Sequence, residues 1–198
     1  GLAGNDTLNG LAGDDLLLPA SGSNTVDGGV GFDIADYYDA TGPLEIDLIF
    51  NTVRRSNAPS EVDTLINIEV VRGSYFNDVL FASSSANGGR YLDGYPGNDQ
   101  VNGGSIEDTL AGGTGDDTLT GSGGNDSIHG EDGTDRAVYS GAVTDYTITF
   151  NASTQIFTIA DKVSNRDGTD TVQAVESFSF GGSIKSSAEL QALAISFT

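Results

Sequence analysis

The sequence predicts an all-β solenoid of short stacked coils, with a β-strand insertion in its first half and a β cap at its C-terminal end. Three observations predict it. A nine-residue unit built around Gly-x-Asp occurs ten times in 198 residues, and a fixed period means one structural unit stacked on itself. Where the unit is lost, apolar residues alternate with polar ones at the period of a strand. Most of the 28 glycines lie inside the units, which argues against the disorder that such a composition otherwise suggests.

The first element is a solenoid block at 1–36, with the units GLAGNDTLN, GLAGDDLLL, PASGSNTVD and GGVGFDIAD. Residues 37–72 lose the register and read as an insertion of two strands, around Leu44–Leu48 and Leu65–Val70. A polar loop containing Arg54, Arg55 and Pro59 is expected between them. A second block covers 73–138: GSYFNDVLF opens it, and GYPGNDQVN, GGSIEDTLA, GGTGDDTLT, GSGGNDSIH and GEDGTDRAV run without a break from Gly94 to Val138. Residues 82–93 fill one turn's place with extra length, expected as a bulge around Ser83–Ser85 that still lets Asp78 and Asp99 meet. Residues 139–182, with alternation from Tyr146 to Phe150 and again near Ile156, Phe178 and Phe180, read as a small sheet covering the end of the stack. The tail at 183–198 includes one short helix, expected at 186–194.

Within each unit, position six is Asp6, Asp15, Asn24, Asp33, Asp78, Asp99, Asp108, Asp117, Asp126 or Asp135. Position four is glycine, as at Gly97, Gly115, Gly124 and Gly133, except where Phe76 and Ile106 stand. Position one is glycine in most units, as at Gly94, Gly103, Gly112 and Gly121. Position eight is apolar throughout. Glycine takes the positive φ of a tight turn that a β-carbon makes costly, and three residues around position eight suffice for one short strand with a single inward side chain. Two units then close one coil, so carboxylates two units apart face each other: Asp99 and Asp117, Asp108 and Asp126, Asp117 and Asp135, Asp15 and Asp33. Asp6 faces the neutral Asn24. The stretch Asp-Gly-Thr-Asp at 132–135 recurs at 167–170, which makes Asp167 and Asp170 candidates for a further site in the cap.

Paired carboxylates with turn carbonyls form an all-oxygen cage suited to a hard cation of calcium size. Magnesium keeps its waters and demands octahedral geometry. Zinc is disfavoured by one His and no Cys, and His129 reads as an exposed strand residue. The 29 acidic against 8 basic residues leave a net charge of −21, which calls for neutralisation from outside the chain and excludes nucleic acid as a partner.

The unit GGTGDDTLT at 112–120 resembles the G-G-x-G-x-D-x-U-x consensus of RTX (hemolysin-type) calcium-binding repeats, and five consecutive copies make the resemblance specific. The stretch from VGFDIADYYDATGPLEIDL to VDTLINIEVVRGSYFNDVL resembles the strand-rich insertion of such modules. DGTDRAVYSGAVTDYTITF through GTDTVQAVESFSFGG is similar to the unit that closes them. The resemblance implies a right-handed parallel β-roll, calcium between successive turns, and export of the unfolded chain by type I secretion machinery, with the last 16 residues as candidates for the secretion signal.

The functional expectation is a C-terminal, calcium-binding module of a secreted bacterial protein, holding roughly seven to nine ions and folding as they bind. Two other readings stay open: a segment of a calcium-dependent cell-surface layer or adhesin that self-associates, and an accessory module that positions a polysaccharide or other polymer for an upstream enzyme. Tyr37, Tyr38, Tyr91 and Tyr95 are the candidates for a carbohydrate or partner surface. Catalysis in this segment is not expected, because no G-x-S-x-G, H-E-x-x-H or phosphate-binding loop is present. No apolar run is long enough to span a bilayer and no signal peptide is legible. The sequence starts at Gly1 inside a repeat, as expected for part of a longer or processed protein.

Overall fold

The computed structural model describes residues 3–82 and 90–195; the bulge expected around Ser83–Ser85 lies outside them. The opening units form β1 (Thr7–Asn9), β2 (Leu16–Leu17), β3 (Thr25–Asp27) and β4 (Ile34–Asp36). The next segment forms β5 (Leu44–Asp47), β6 (Thr52–Arg55), β7 (Ala58–Ile66) and β8 (Val70–Arg72). Repeat strands resume with β9 (Val79–Phe81), β10 (Tyr91–Asp93), β11 (Gln100–Asn102) and β12 (Thr109–Thr114). They continue with β13 (Thr118–Thr120), β14 (Ser127–Asp132) and β15 (Arg136–Tyr139). The end is built from β16 (Tyr146–Asn151), β17 (Ile156–Asp161), β18 (Thr169–Gln173), β19 (Ser177–Phe180), β20 (Ser183–Ser186) and helix α1 (Ser187–Ile195).

Successive repeat strands alternate between two sheets. One runs β1-β3-β7-β6-β5-β9-β11-β13-β15-β19-β20, the other β16-β17-β18-β14-β12-β10-β8-β4-β2. Within each, repeat strands pair in parallel with the strand two units on: Leu8 beside Val26, Leu17 beside Ala35, Val101 beside Leu119, Leu110 beside Ile128. The chain is therefore a parallel β-roll. Its turns are tight enough to need glycine: Gly115 has φ +134°, and a β-carbon there would lie 1.6 Å from the Gly97 carbonyl oxygen of the preceding coil.

Position eight supplies the core. In one sheet Val26, Leu65, Leu80, Val101, Leu119, Ala137 and Phe178 form a buried column; in the other Ala35, Val71, Leu92, Leu110, Ile128 and Val172 do. Each coil thus contributes two inward side chains, and burying a leucine fully stabilises by about 1.5–3 kcal/mol.

The segment 37–72 differs from expectation in its detail. It holds four strands instead of two, and Arg54, Arg55 and Pro59, expected in a polar loop, lie in β6 and β7. β7 and β8 carry the repeat register, pairing in parallel with β3 and β4. Only β5 and β6 are additional, placed antiparallel to each other between β7 and β9. The cap forms no separate sheet. β17 extends one roll sheet antiparallel to β18 with β16 antiparallel to β17 at its edge, and β20 extends the other antiparallel to β19. α1 begins at Ser187, one residue later than expected, behind a capping box in which Ser186 Oγ accepts from the Glu189 amide at 3.3 Å and Glu189 Oε2 accepts from the Ser186 amide at 2.8 Å. Leu190 and Ala194 seat it on the core.

Leu110→Ala should lower stability by about 2–5 kcal/mol in denaturant titrations at fixed ionic conditions, because the column closes poorly around a cavity. Leu16→Ala, on a side chain 55% exposed, should change it by less than about 0.5 kcal/mol.

Candidate metal centre

The turns stack their position-six residues into two rows. In each row the backbone N–H of one residue donates to a carboxylate (or carboxamide) oxygen of the residue in the next coil. The first row runs Asp6 to Asn24 (3.0 Å), Asn24 to Asp63 (2.8 Å), then Asp78 to Asp99 (2.7 Å), Asp99 to Asp117 (2.7 Å), Asp117 to Asp135 (2.9 Å) and Asp135 to Glu176 (2.8 Å). The second runs Asp15 to Asp33 (2.9 Å), Asp33 to Glu69 (2.9 Å), then Asp108 to Asp126 (2.8 Å) and Asp126 to Asp170 (2.9 Å). All the facing pairs expected from the period meet, including Asp78 with Asp99.

Each of these bonds uses Oδ1 of an Asp acceptor and leaves its Oδ2 over. The Oδ2 atoms of Asp15, Asp33, Asp99, Asp117, Asp126, Asp135 and Asp170 are buried without a hydrogen-bond partner among the described residues. An unpaired buried carboxylate oxygen is strongly unfavourable unless a cation or donor meets it. Position one explains its glycine here. A β-carbon on Gly94 would lie 2.5 Å from Asp99 Oδ2 and 2.6 Å from the Gly112 carbonyl oxygen. One on Gly112 would lie 2.4 Å from Asp117 Oδ2 and 2.8 Å from the Gly130 carbonyl oxygen. Gly121 keeps the same space beside Asp126 Oδ2, and Gly103 lies under the Gly121 carbonyl. At position four, Gly97, Gly115, Gly124 and Gly133 each sit against the position-four carbonyl of the preceding coil. Carboxylate and carbonyl oxygens converging on small glycine-lined spaces fit a hard, oxygen-liganded cation.

Charge follows the same geometry. Burial, reinforced by the charges of Asp78 and Asp117, pushes the Asp99 carboxyl up to about 8, and burial with the Asp170 and Asp108 charges puts Asp126 at about 8. Burial raises Asp170 to about 7, and Asp117 and Asp135 to about 6. The opposing influence is in each case a backbone N–H bond from the coil below, joined at Asp170 by the Tyr139 hydroxyl, and it is too weak to offset desolvation.

Two units depart from this pattern, and both lack the position-four glycine. In the Phe76 unit, the Ser74 amide donates to Asp78 Oδ2 at 2.6 Å. In the Ile106 unit, the Gly104 amide donates to Asp108 Oδ2 at 2.7 Å. These two carboxylates are satisfied by their own turns. Asn24 is likewise committed, its Nδ2 donating to the Ala20 carbonyl (3.0 Å) and Asp63 Oδ1 (3.0 Å).

Four row members lie outside the ten repeats: Asp63, Glu69, Asp170 and Glu176. Asp63-Thr64-Leu65 copies the Asp-Thr-Leu of Asp117-Thr118-Leu119, a signal available in the sequence; the two glutamates carry none. Asp170 joins the second row, but Asp167 does not meet it. Asp167 accepts instead from the Ser140 amide (2.9 Å), the Ser140 hydroxyl (2.7 Å) and the Tyr146 hydroxyl. His129 is held between Ser127 Oγ and Gln173. Of the four tyrosines considered as a surface, Tyr37 is fully buried and Tyr38 is exposed.

A family model described as the RTX calcium-binding nonapeptide repeat (4 copies) matches residues 1–35, 91–105 and 103–137. No curated protein matches. Among solved structures, the crystal structure of extracellular lipase LipA from Serratia marcescens is similar at 21% identity and a TM-score of 0.27, covering 87% of this chain and 36% of that one. The chain thus spans about a third of that structure's length.

Asp117→Ala removes the acceptor for the Asp99 amide and the oxygens facing two coils. It should shift cation-dependent folding, followed by circular dichroism, to higher cation concentration, whereas Asp39→Ala on the exposed surface should not. Without metal, the fold should gain stability as pH falls from about 8 to about 4. Over that range the folded carboxyls of Asp99, Asp126 and Asp170 bind protons that unfolded aspartates, near 3.9, do not. Melting temperatures in chelator should rise with acid, while metal affinity falls because protons compete for the ligands.

Proposed function

We propose that this chain, whose repeats belong to the RTX calcium-binding nonapeptide family, is the module that couples folding of a secreted bacterial protein to external calcium. The observation that carries the reading is the set of buried Oδ2 atoms without partners among the described residues in both rows: Asp99, Asp117 and Asp135 in the first, Asp15, Asp33, Asp126 and Asp170 in the second. A bound calcium ion supplies the positive charge that these oxygens lack.

The chain's own residues do the rest. With a net charge of −21, repulsion among carboxylates holds the metal-free chain open. Asp99, Asp117 and Asp135 present both an amide and a carboxylate to successive coils, so closing one turn positions the oxygens of the next. Folding therefore propagates along the axis as it does in other stacked repeats. One ion for each orphaned oxygen gives roughly seven, the lower end of the range expected from the repeat count. An open chain at low calcium suits passage through type I secretion machinery, and a closed roll at extracellular calcium suits stability outside the cell. Catalysis is assigned to no residue of this segment, since the repeat carboxylates are committed to the rows.

Calcium titration of the 198-residue chain, followed by circular dichroism, tests the reading. β-Structure should appear steeply at about 10⁻⁴–10⁻³ M calcium, the range of extracellular calcium modules. Magnesium at the same concentration should not replace it. Undiminished β-structure in chelator at neutral pH would refute the reading.

A further inference from the structure

The third unit, PASGSNTVD at 19–27, breaks the repeat twice, with Pro19 at position one and Asn24 at position six. Its neighbour in the first row is the coil carrying Asp63. Between the two enters Arg55 from β6, only 4% exposed, against Asp63 at 0%. Its guanidinium makes three contacts. Nη1 donates to the Gly22 carbonyl at 3.2 Å, and Nη2 donates to the Ala20 carbonyl at 2.6 Å and to Asp63 Oδ2 at 3.0 Å.

Those acceptors form a specific set. Ala20 and Gly22 are positions two and four of the turn, and Asp63 Oδ2 is the counterpart of the oxygen left over on seven other row aspartates. Asp63 is the row aspartate whose second oxygen meets a cationic side chain. Its first oxygen is also fully used, by the Asn24 amide at 2.8 Å and the Asn24 side chain at 3.0 Å. At the buried centre one guanidinium faces one carboxylate and one neutral carboxamide, while the half-buried Glu61 accepts from the Gly22 amide at 2.8 Å on the outer side of the turn. An aspartate at position 24 would leave two carboxylates against one cation and would remove the Nδ2 donor. The planar fork of arginine suits this task, since it reaches two carbonyls and a carboxylate from one fixed centre, which an ammonium on a flexible stem does poorly. The guanidinium also lies over the buried Tyr37 ring, 5.8 Å from its centroid.

We propose that Arg55 is a resident cation, filling covalently the place between the Asn24 and Asp63 coils that a divalent ion takes in the other rungs. This inference rests on the calcium reading of those rungs. The rung closes without metal, so calcium binding in the first row stops at this seam. The segment that looks like an insertion is then the device that brings the substitute charge, since β6 has no counterpart in the other sheet. It also accounts for Asn24, the one position-six residue among the ten units that is not an aspartate.

The test counts ions. The double variant Asn24→Asp, Arg55→Ala restores two facing carboxylates and vacates the guanidinium's place. Equilibrium dialysis against radioactive calcium at saturation should give one additional ion per chain relative to wild type, and Asn24→Asp alone should give none. A folded double variant that binds the same number as wild type overturns the proposal. Should the double variant not fold, calcium anomalous scattering from calcium-grown crystals of the wild-type chain decides. Peaks at the Asp15–Asp33 and Asp99–Asp117 rungs with none between Gly22 and Asp63 support the proposal, and a peak there overturns it. Wild-type chain that binds no calcium anywhere overturns the underlying reading, an outcome separate from a miscount at this one rung.

Discussion

In this roll a backbone amide at position six donates to one oxygen of the carboxylate in the next coil, and in seven row aspartates the second oxygen is buried without a partner among the described residues. That bond sets the spacing of the turns, since it ties consecutive coils at the level where the strands begin. It also creates the electrostatic demand. A carboxylate that accepts one neutral N–H and is otherwise desolvated is held in its charged form at a cost that hydrogen bonding alone does not offset. Glycine at positions one and four follows from the same constraint. Beyond the first coil, where Gly4 and Gly13 face open space and are required by their positive φ alone, a β-carbon at either place would collide with the carboxylate oxygen or with the carbonyl of the neighbouring coil.

The apolar interior complements this arrangement without replacing it. Two buried side chains per coil form a column running from Val26 and Ala35 to Phe178 and Val172, narrow by the standard of a globular core. Such a column orders the strands but leaves the acidic turns mutually repulsive. The ends of the stack are treated differently. In the cap, Asp161 is met by Arg166, Asp145 also contacts Arg166 at 3.1 Å, and Asp167 is surrounded by hydroxyl and amide donors from Ser140 and Tyr146. Tyr139, Tyr146 and Phe180 pack together with ring centroids 5.2–5.4 Å apart. Asp145, Asp161 and Asp167 are thus satisfied by side chains and amides of the cap, whereas Asp170, which joins the second row, keeps a buried oxygen open as the turns do.

The same contrast appears inside the stack. Asp78 and Asp108 receive a second amide from their own turns, and both stand in units where Phe76 or Ile106 replaces the position-four glycine. A residue that does not follow the glycine turn lets the loop fold inward, so that the amide four residues earlier reaches the carboxylate. Departures from the repeat therefore have a common result: the chain supplies a donor where a regular unit leaves an oxygen open. Arg55 beside Asp63 is the strongest instance, because the donor there carries a full charge.

The periodic features were determined by the sequence alone. The strands at positions seven to nine, the two-unit register, the facing pairs from Asp15–Asp33 to Asp117–Asp135 and the inward residue at position eight all follow from local geometry repeated at a fixed interval. A repeat needs no long-range information beyond its own period. Asp63 was half legible, through its Asp-Thr-Leu, but Glu69 and Glu176 were not, since a glutamate in a strand-rich segment has no distinguishing pattern. Tertiary structure decided what lies outside the period. It decided which oxygen of each carboxylate is used and which is left, that β7 and β8 continue the roll while β5 and β6 do not, and that Asp167 turns to Tyr146 instead of to Asp170. It alone brings Arg55 under Gly22, 33 positions away in the chain. Such contacts depend on how separate segments pack in space, and no spacing along the chain encodes them.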